Sequence, residues 1–314
     1  MINSSICNLA GIKYPIFQGG MAHIADGKLA AAVSNAGGLG IISAMSRDGS
    51  YLKEQIDIAR NLTDKPFGVN VMLMSPYTDE VAQLIADEKV PVVTTGAGNP
   101  SKYMELWNNA DVKVIPVVAS SALAKLVERL GACAVIAEGG ESGGHIGDLT
   151  TMALVPQVAD AVKIPVIAAG GIADGRGIAA SFMLGAAGVQ VGTRFLVAKE
   201  CGVHQNYKDK ILKATDRSTI VTGKRLGHPV RSIKTPFSRN YAKAEYTQIP
   251  DDELENLAVG ALRLAAVEGD EQKGCFLAGQ IAGMVNKEQT AKEIIDEMFQ
   301  EAETILNGAA KWVK

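Results

Sequence analysis

One repeating unit constrains this chain more than any other feature. A short apolar, β-branched run ends in glycine or a small polar residue, a stretch with helical periodicity follows, and the next run begins. Eight such runs occur, at residues 14–18, 39–43, 67–72, 92–95, 114–118, 134–138, 165–169 and 189–192. Helical stretches fall between them at 28–35, 51–61, 79–88, 101–109, 121–130, 152–161 and 176–184. Several runs are apolar almost throughout, as parallel strands covered on both faces must be. Eight successive right-handed βα units close most naturally on themselves. The expected fold class is therefore α/β, a (β/α)8 TIM barrel with a smaller C-terminal appended domain. An open doubly wound sheet is the alternative, disfavoured by the count of eight.

The repeat stops after residue 195. Residues 201–250 read as irregular, and helices are expected at 254–268, 276–285 and 290–306. Leu254, Leu257, Ala261, Leu264 and Ala265 would share one face of the first. The expected organisation is a barrel over 1–199, a small lid or substrate domain over 200–286, and a last segment, 287–314, whose helix returns to complete the outer ring.

Length and composition agree with this reading. The 314 residues can hold one barrel and a smaller unit. With 47% apolar and 21% charged residues, a packed core is expected rather than disorder. No window reads as a membrane span, and residues 1–10 have neither a basic flank nor a long apolar run, so a cytoplasmic protein with no membrane partner is expected. Cys7, Cys133, Cys201 and Cys275 match no metal or redox spacing, and four unpaired thiols suit a reducing compartment. His23, His204 and His228 are scattered, so no metal site is expected. A net charge of −3 argues against nucleic acid as a partner.

In such barrels the chemistry sits at the C-terminal ends of the strands. Gly170-Gly171 follows the seventh run, and Gly192-Thr193 follows the end of the eighth. Either these glycines only make turns, or their backbone N–H groups converge on a phosphate beside a helix N-terminus that Asp174 would cap. Two such loops on adjacent strands favour the phosphate. Gly20-Met21 follows the first run, where glycine would let a flat ring lie against backbone; a tight turn is the plainer reading. Asn70 interrupts an apolar run, so its amide points into the mouth or is satisfied by backbone. Glu138 ends the sixth run and either accepts from a ligand hydroxyl or ring N–H, or caps a turn. His145 then lies in a glycine-rich segment, 140–147, expected to be a flexible loop, and imidazole is the side chain best suited to move a proton near neutral pH. Between Asp216 and Glu245 every charged residue is basic, among them Arg217, Lys224, Arg225, Arg231, Lys234, Arg239 and Lys243. That run is either a solvated surface or a rim attracting an anionic substrate or partner.

Six stretches together resemble the nitronate monooxygenase/FMN-dependent enoyl-acyl-carrier-protein reductase family: residues 14–21 (YPIFQGGM), 36–41 (AGGLGI), 65–70 (KPFGVN), 137–145 (AEG followed by SGGH), 167–172 (IAAGGI) and 190–195 (QVGTRF). Residues 94–104, 227–231 (GHPVR) and 279–284 (GQIAGM) are similar to the FabK-type enoyl reductases of that family. Gly140 departs from the pattern, which leads us to expect a bulkier residue there. The resemblance implies a non-covalent FMN, NADH or NADPH as co-substrate, stimulation by a monovalent cation, a homodimer, and an acyl carrier protein bearing an enoyl thioester as partner in fatty acid elongation. It implies hydride transfer through the flavin N5 to the enoyl β-carbon, with His145 as catalytic residue. The implied FMN contacts are Gly20, Met21, Asn70, Glu138, Gly143, Gly170, Gly171, Gly192 and Thr193. Two other readings stand beside it. One is a nitronate monooxygenase with the same fold, FMN and histidine. The other is a phosphate-binding barrel without turnover.

Overall fold

In the computed structural model, which describes residues 2 and 4–312, the barrel strands are β1 (Ile16–Gln18), β2 (Gly40–Ser43), β3 (Phe67–Met72), β4 (Val92–Gly96), β5 (Lys113–Val118) and β6 (Val135–Glu138). After a short strand β7 (Gly144–His145) outside the barrel, β8 (Val166–Ala169) and β9 (Gly188–Val191) complete it. The sheet order is β1-β9-β8-β6-β5-β4-β3-β2, parallel throughout. Its two ends meet through the Phe17–Leu39 bridge, where Gln18 N–H donates to the Leu39 carbonyl at 2.9 Å. The buried Gln18 amide extends this short seam, donating to Ile41 O and accepting from Ile41 N–H, each at 3.2 Å.

The period of two explains the core. Phe17, Leu39, Ile41, Val92, Ile115, Ile136 and Ile167 fill the barrel axis. Their neighbours Ile42, Val69, Val93, Val114, Val135, Val166 and Val189 face the helical ring. A short helix the sequence reading did not expect, α1 (Ser5–Ala10), is capped by Ser4 and packs Ile6 and Ala10 into the axial cluster. The ring helices are α2 (Gly27–Asn35), α3 (Gly49–Leu62), α4 (Thr78–Asp87), α5 (Ser101–Asn109), α6 (Ser121–Arg129), α7 (Thr151–Ala161) and α8 (Gly175–Met183). Asp26, Asp48, Ser120 and Asp174 accept backbone N–H groups at the starts of α2, α3, α6 and α8, which fixes where those helices begin.

Residues 201–250 are not irregular. They hold α9 (Gln205–Leu212), an antiparallel hairpin of β10 (Thr219–Thr222) and β11 (Val230–Ile233), and α10 (Pro236–Ala244). Nor is 254–268 one helix. It divides into α11 (Asp251–Asn256) and α12 (Ala261–Arg263), which runs into a π-helical turn at Leu264–Glu268. Gly260 sits at φ +74° between them, so Leu257 turns to solvent and is 48% exposed instead of sharing a buried face. The stretch 276–285 is helical only as a 3-10 turn, Gln280–Met284.

The last helix, α13 (Ala291–Asn307), packs against α8 and α2. A Cβ on Gly175 would lie 2.4 Å from Ala302 N, so only glycine allows the two helices this close. Glu301 accepts the Gly175 N–H at 2.8 Å, and Phe299 meets Tyr14 with ring centroids 4.9 Å apart. Among the described residues no helix is long and apolar enough to cross a membrane.

Candidate active site

One step above the apolar axial layer, the same period of two aims Asn70, Thr94, Glu138 and Gln190 into the C-terminal mouth, two residues on from Gly68, Val92, Ile136 and Gly188. Thr94 Oγ1 donates to Asn70 Oδ1 at 2.9 Å, so the asparagine is oriented by a neighbouring strand. A Cβ on Gly20 would fall 2.3 Å from Asn70 Cβ, which seats the Gly20-Met21 turn directly on this polar layer. Above Gly192 a Cβ would meet only Met21 Sδ, at 3.8 Å. Met21 Sδ therefore stands at ordinary contact distance from that position, and the loops after β1 and β9 meet at the mouth.

Gly170 (φ +88°) and Gly171 (φ +74°) occupy left-handed backbone that side chains rarely adopt. No backbone or side-chain acceptor among the described residues takes the N–H of Gly170, Gly171 or Gly192. Asp174 caps α8 as expected, accepting from Arg176 N–H at 3.0 Å and Gly177 N–H at 3.3 Å, so a helix N-terminus lies just beyond these free donors. Thr193 Oγ1 faces the other way and accepts the Gly279 N–H at 2.9 Å.

The histidine segment is not a flexible loop. β7 is the outer strand of a three-stranded sheet, paired antiparallel with β11 through His145–Val230 and Gly144–Arg231, and Ile146 N–H donates to Pro229 O at 3.0 Å. Its glycines serve close approach. A Cβ on Gly143 would lie 2.6 Å from the Ala278 carbonyl carbon. At Gly140, where a bulkier residue was expected, a Cβ would lie 2.8 Å from Gly147 O, and Arg231 Nη2 donates to the Gly140 carbonyl at 2.9 Å. Glu141 accepts from Thr151 N–H at the start of α7, and Thr151 Oγ1 stands 2.9 Å from both the Glu141 carboxylate and Gly170 O. The histidine strand is thereby tied to the glycine turn after β8.

The His145 ring keeps one open side; its partial enclosure, and then the His228 charge, hold its pKa below the ordinary imidazole value. Register places His228 diagonally across from His145 on the same sheet face. Burial pushes the Glu138 carboxyl up to about 7, against the smaller opposing effect of Ser142, whose hydroxyl donates to it at 3.1 Å.

The basic run is not one uniform rim. Arg225 donates to Thr247 O at 3.1 Å and Ile249 O at 2.6 Å and pairs with Asp251 at 2.6 Å. Arg231 turns inward, and Lys234 donates to Arg217 O at 2.6 Å. Lys224, Arg239 and Lys243 are exposed. Thr94, Glu141, Thr151, Gln190 and Arg231 were missed as site residues. Strand parity identifies Thr94 and Gln190 from sequence, whereas the roles of Glu141, Thr151 and Arg231 depend on contacts between distant segments.

The sequence profile of the nitronate monooxygenase family matches residues 3–301. This chain belongs to the nitronate monooxygenase family. FabK from Thermotoga maritima is similar to it over 100% of both chains, at 49% identity and a TM-score of 0.97. A nitroalkane oxidase from Streptomyces ansochromogenes is 30% identical, with a TM-score of 0.87 over 98% of this chain and 100% of that one. A (3aS,4S,5R,7aS)-5-hydroxy-7a-methyl-1-oxo-octahydro-1H-indene-4-carboxyl-CoA dehydrogenase from Rhodococcus jostii is 33% identical over 96% of each chain. As a member of this nitronate monooxygenase family the chain is a flavin oxidoreductase, and the family depends on FMN. Its mouth fits that group: unpaired N–H donors and a helix N-terminus suit a phosphate, and the layer of Asn70, Thr94, Glu138 and Gln190 offers polar partners to a ring's edge.

Proposed function

We propose that this chain is an FMN-dependent trans-2-enoyl-acyl-carrier-protein reductase of fatty acid elongation that uses NADH or NADPH. The observation that carries this reading is the unbroken full-length similarity to FabK from Thermotoga maritima at 49% identity. Backbone at Gly170, Gly171, Gly192 and Thr193 would hold the FMN phosphate. Gly20 and Met21 would lie along the ring, Gly143 at its edge, and Asn70 and Glu138 would meet its polar atoms. FMN, when bound, supplies the hydride relay between nicotinamide and the enoyl β-carbon.

The protein's own part is position and protons. Residues 200–286 cover the mouth and 287–314 complete the ring around 1–199. β11 fixes the backbone of His145 from outside the barrel, and in this reading the imidazole reaches the mouth and supplies the proton for the α-carbon. Its lowered pKa leaves only a minor fraction of the ring protonated at pH 7, so the acid role draws on that fraction and strengthens as pH falls. Glu138, titrating near 7, can donate or accept within the same pH range. A homodimer, a cytoplasmic location and stimulation by a monovalent cation belong to the same reading.

Turnover with an enoyl-acyl-carrier protein and NAD(P)H tests it. Fast thioester-dependent NAD(P)H consumption is expected, with no turnover of nitroalkane and oxygen; the reverse pattern overturns the proposal. One observation favours a nitronate monooxygenase as the second reading: a neutral imidazole is also a base, able to take a proton from a nitroalkane. The pH profile separates the two. If His145 acts as acid, the rate falls as pH rises through its depressed pKa; if it acts as base, the rate rises.

A further inference from the structure

A second concavity lies on the same face of the barrel, beside the mouth. It has a volume of about 490 Å3 and is lined by Arg47, Asp48, Ser50, Tyr51, Glu54 and Tyr77 among others. Arg47 follows β2 and Tyr77 follows β3, both at the C-terminal strand ends, and His23, which touches Arg47, is two residues beyond Met21. The Arg47 guanidinium lies over the Tyr51 ring, 4.6 Å from its centroid. Its Nη2 donates to His23 Nδ1 at 3.0 Å. An arginine must be the donor in that contact, so Nδ1 is the acceptor and His23 is neutral; burial first, then Arg47 and Arg263, lower its pKa. The Arg47 Nε–H is buried without a partner. His23 (φ +60°) and Ser46 (φ +55°) both hold left-handed backbone unusual for their residue types.

A guanidinium that is fixed by Tyr51 and His23, lines the cleft and makes no ion pair among the described residues suits an anionic acceptor. The same cleft also carries carboxylates. Asp48 is committed to capping α3, accepting from Tyr51 N–H at 2.9 Å and Ser50 Oγ at 2.8 Å. Glu54 is exposed and makes no ion pair among the described residues. A small anion alone would be opposed by these charges, whereas a ligand bearing hydroxyls next to its phosphate would use Glu54 as an acceptor. Tyr77, 41% exposed, adds an aromatic face to the same cleft.

We propose that this cleft binds an adenosine diphosphate group: phosphate on Arg47, ribose hydroxyls on Glu54, and adenine on Tyr77. Resting on the reading of the chain as a nicotinamide-consuming reductase, it assigns the cleft to the nucleotide half of the dinucleotide. Glu54 then opposes a phosphate on the ribose, so NADH is preferred over NADPH. Coenzyme A carries an adenosine diphosphate with a further phosphate on the ribose 3′-oxygen, which Glu54 would likewise oppose, and it is the other source to distinguish.

The test uses the FMN-loaded protein, anaerobically, without any enoyl thioester. Flavin bleaching by NADH is followed with increasing ADP, and binding of ADP, NADPH and coenzyme A is measured directly. ADP should raise the apparent Kd for NADH without changing the limiting bleaching rate. Arg47→Gln should weaken ADP and NADH binding about tenfold or more at unchanged flavin content. Tyr77→Ala, at an exposed position, gives the same readout if Arg47→Gln fails to fold. Glu54→Gln should shift preference toward NADPH severalfold. Absence of competition by ADP, or wild-type ADP affinity in both Arg47→Gln and Tyr77→Ala, overturns the site. An unchanged NADH/NADPH ratio in Glu54→Gln overturns the ribose placement. If Arg47→Gln loses coenzyme A while keeping wild-type NADH affinity, the cleft takes a thioester's tail and the dinucleotide assignment is overturned. Because no enoyl substrate enters these measurements, a failure of enoyl reduction leaves their outcome intact.

Discussion

His145 and Glu138 differ in what their surroundings ask of them. His145 has its backbone fixed and its ring open on one side, so its replacement should leave the barrel intact. His145→Ala is expected to retain FMN and its bleaching by NAD(P)H, while the enoyl-reducing step slows by about a hundredfold or more. Stopped-flow measurement of the two half-reactions separates them; equal slowing of both would remove the residue from the proton step. Glu138 carries a stability signature instead. Its folded pKa, about 7, is raised above the ordinary carboxylate value, so the favourable, protonated state is complete at low pH and is lost as pH rises toward and through 7. In flavin-free protein, Glu138→Gln should therefore gain stability over the parent at pH 8, by about 1–3 kcal/mol allowing for residual solvent access, and the gain should vanish near pH 4. Urea unfolding at both pH values checks the sign.

Among the elements, the histidine strand shows where sequence reading ends. The eight barrel strands were legible because buried parallel strands are near-continuous apolar runs, and every expected run overlaps a strand. β7 was not legible, because its partner β11 lies more than eighty residues downstream and two residues carry no periodicity of their own. The glycines around His145 suggested freedom; Gly143 and Gly140 are instead glycine because backbone of other segments stands within 3 Å of where a Cβ would be. Helices α9 and α10 escaped notice because their sequences, QNYKDKIL and PFSRNYAKA, are only eight and nine residues long and mostly polar, so few apolar residues mark the face of each. Gly260 was overlooked inside an otherwise good helical pattern, and one glycine at φ +74° was enough to divide it. Nothing lies within 4 Å of a Cβ there, so Gly260→Ala tests backbone strain alone and should cost about 1 kcal/mol by chemical unfolding. Arg231→Met removes the donor to the Gly140 carbonyl. Loss of about 1–3 kcal/mol of stability is expected, with kcat falling more than KM rises; unchanged kcat would separate this anchor from the histidine.

At the level of the whole molecule, the chain brings its two ends to one barrel. α1 packs into one end of the axial core, and α13 closes the ring between α8 and α2. Gly175→Ala should be among the most damaging small substitutions, because the added methyl meets the backbone of α13 and neither helix can yield alone. A thermal midpoint lowered by several degrees is expected, and an unchanged one would contradict the packing of α13 on α8. The mouth that this scaffold frames has, among the described residues, free N–H donors at Gly170, Gly171 and Gly192, a polar layer at the strand ends and a histidine with an anchored backbone. The most direct measurement is an anaerobic absorption spectrum of the purified protein, first with NAD(P)H and then with an enoyl thioester. A yellow protein is expected, bleached by the nicotinamide and recoloured by the thioester. A colourless protein that takes up no FMN, or a bleached one that the thioester leaves unchanged, would contradict it.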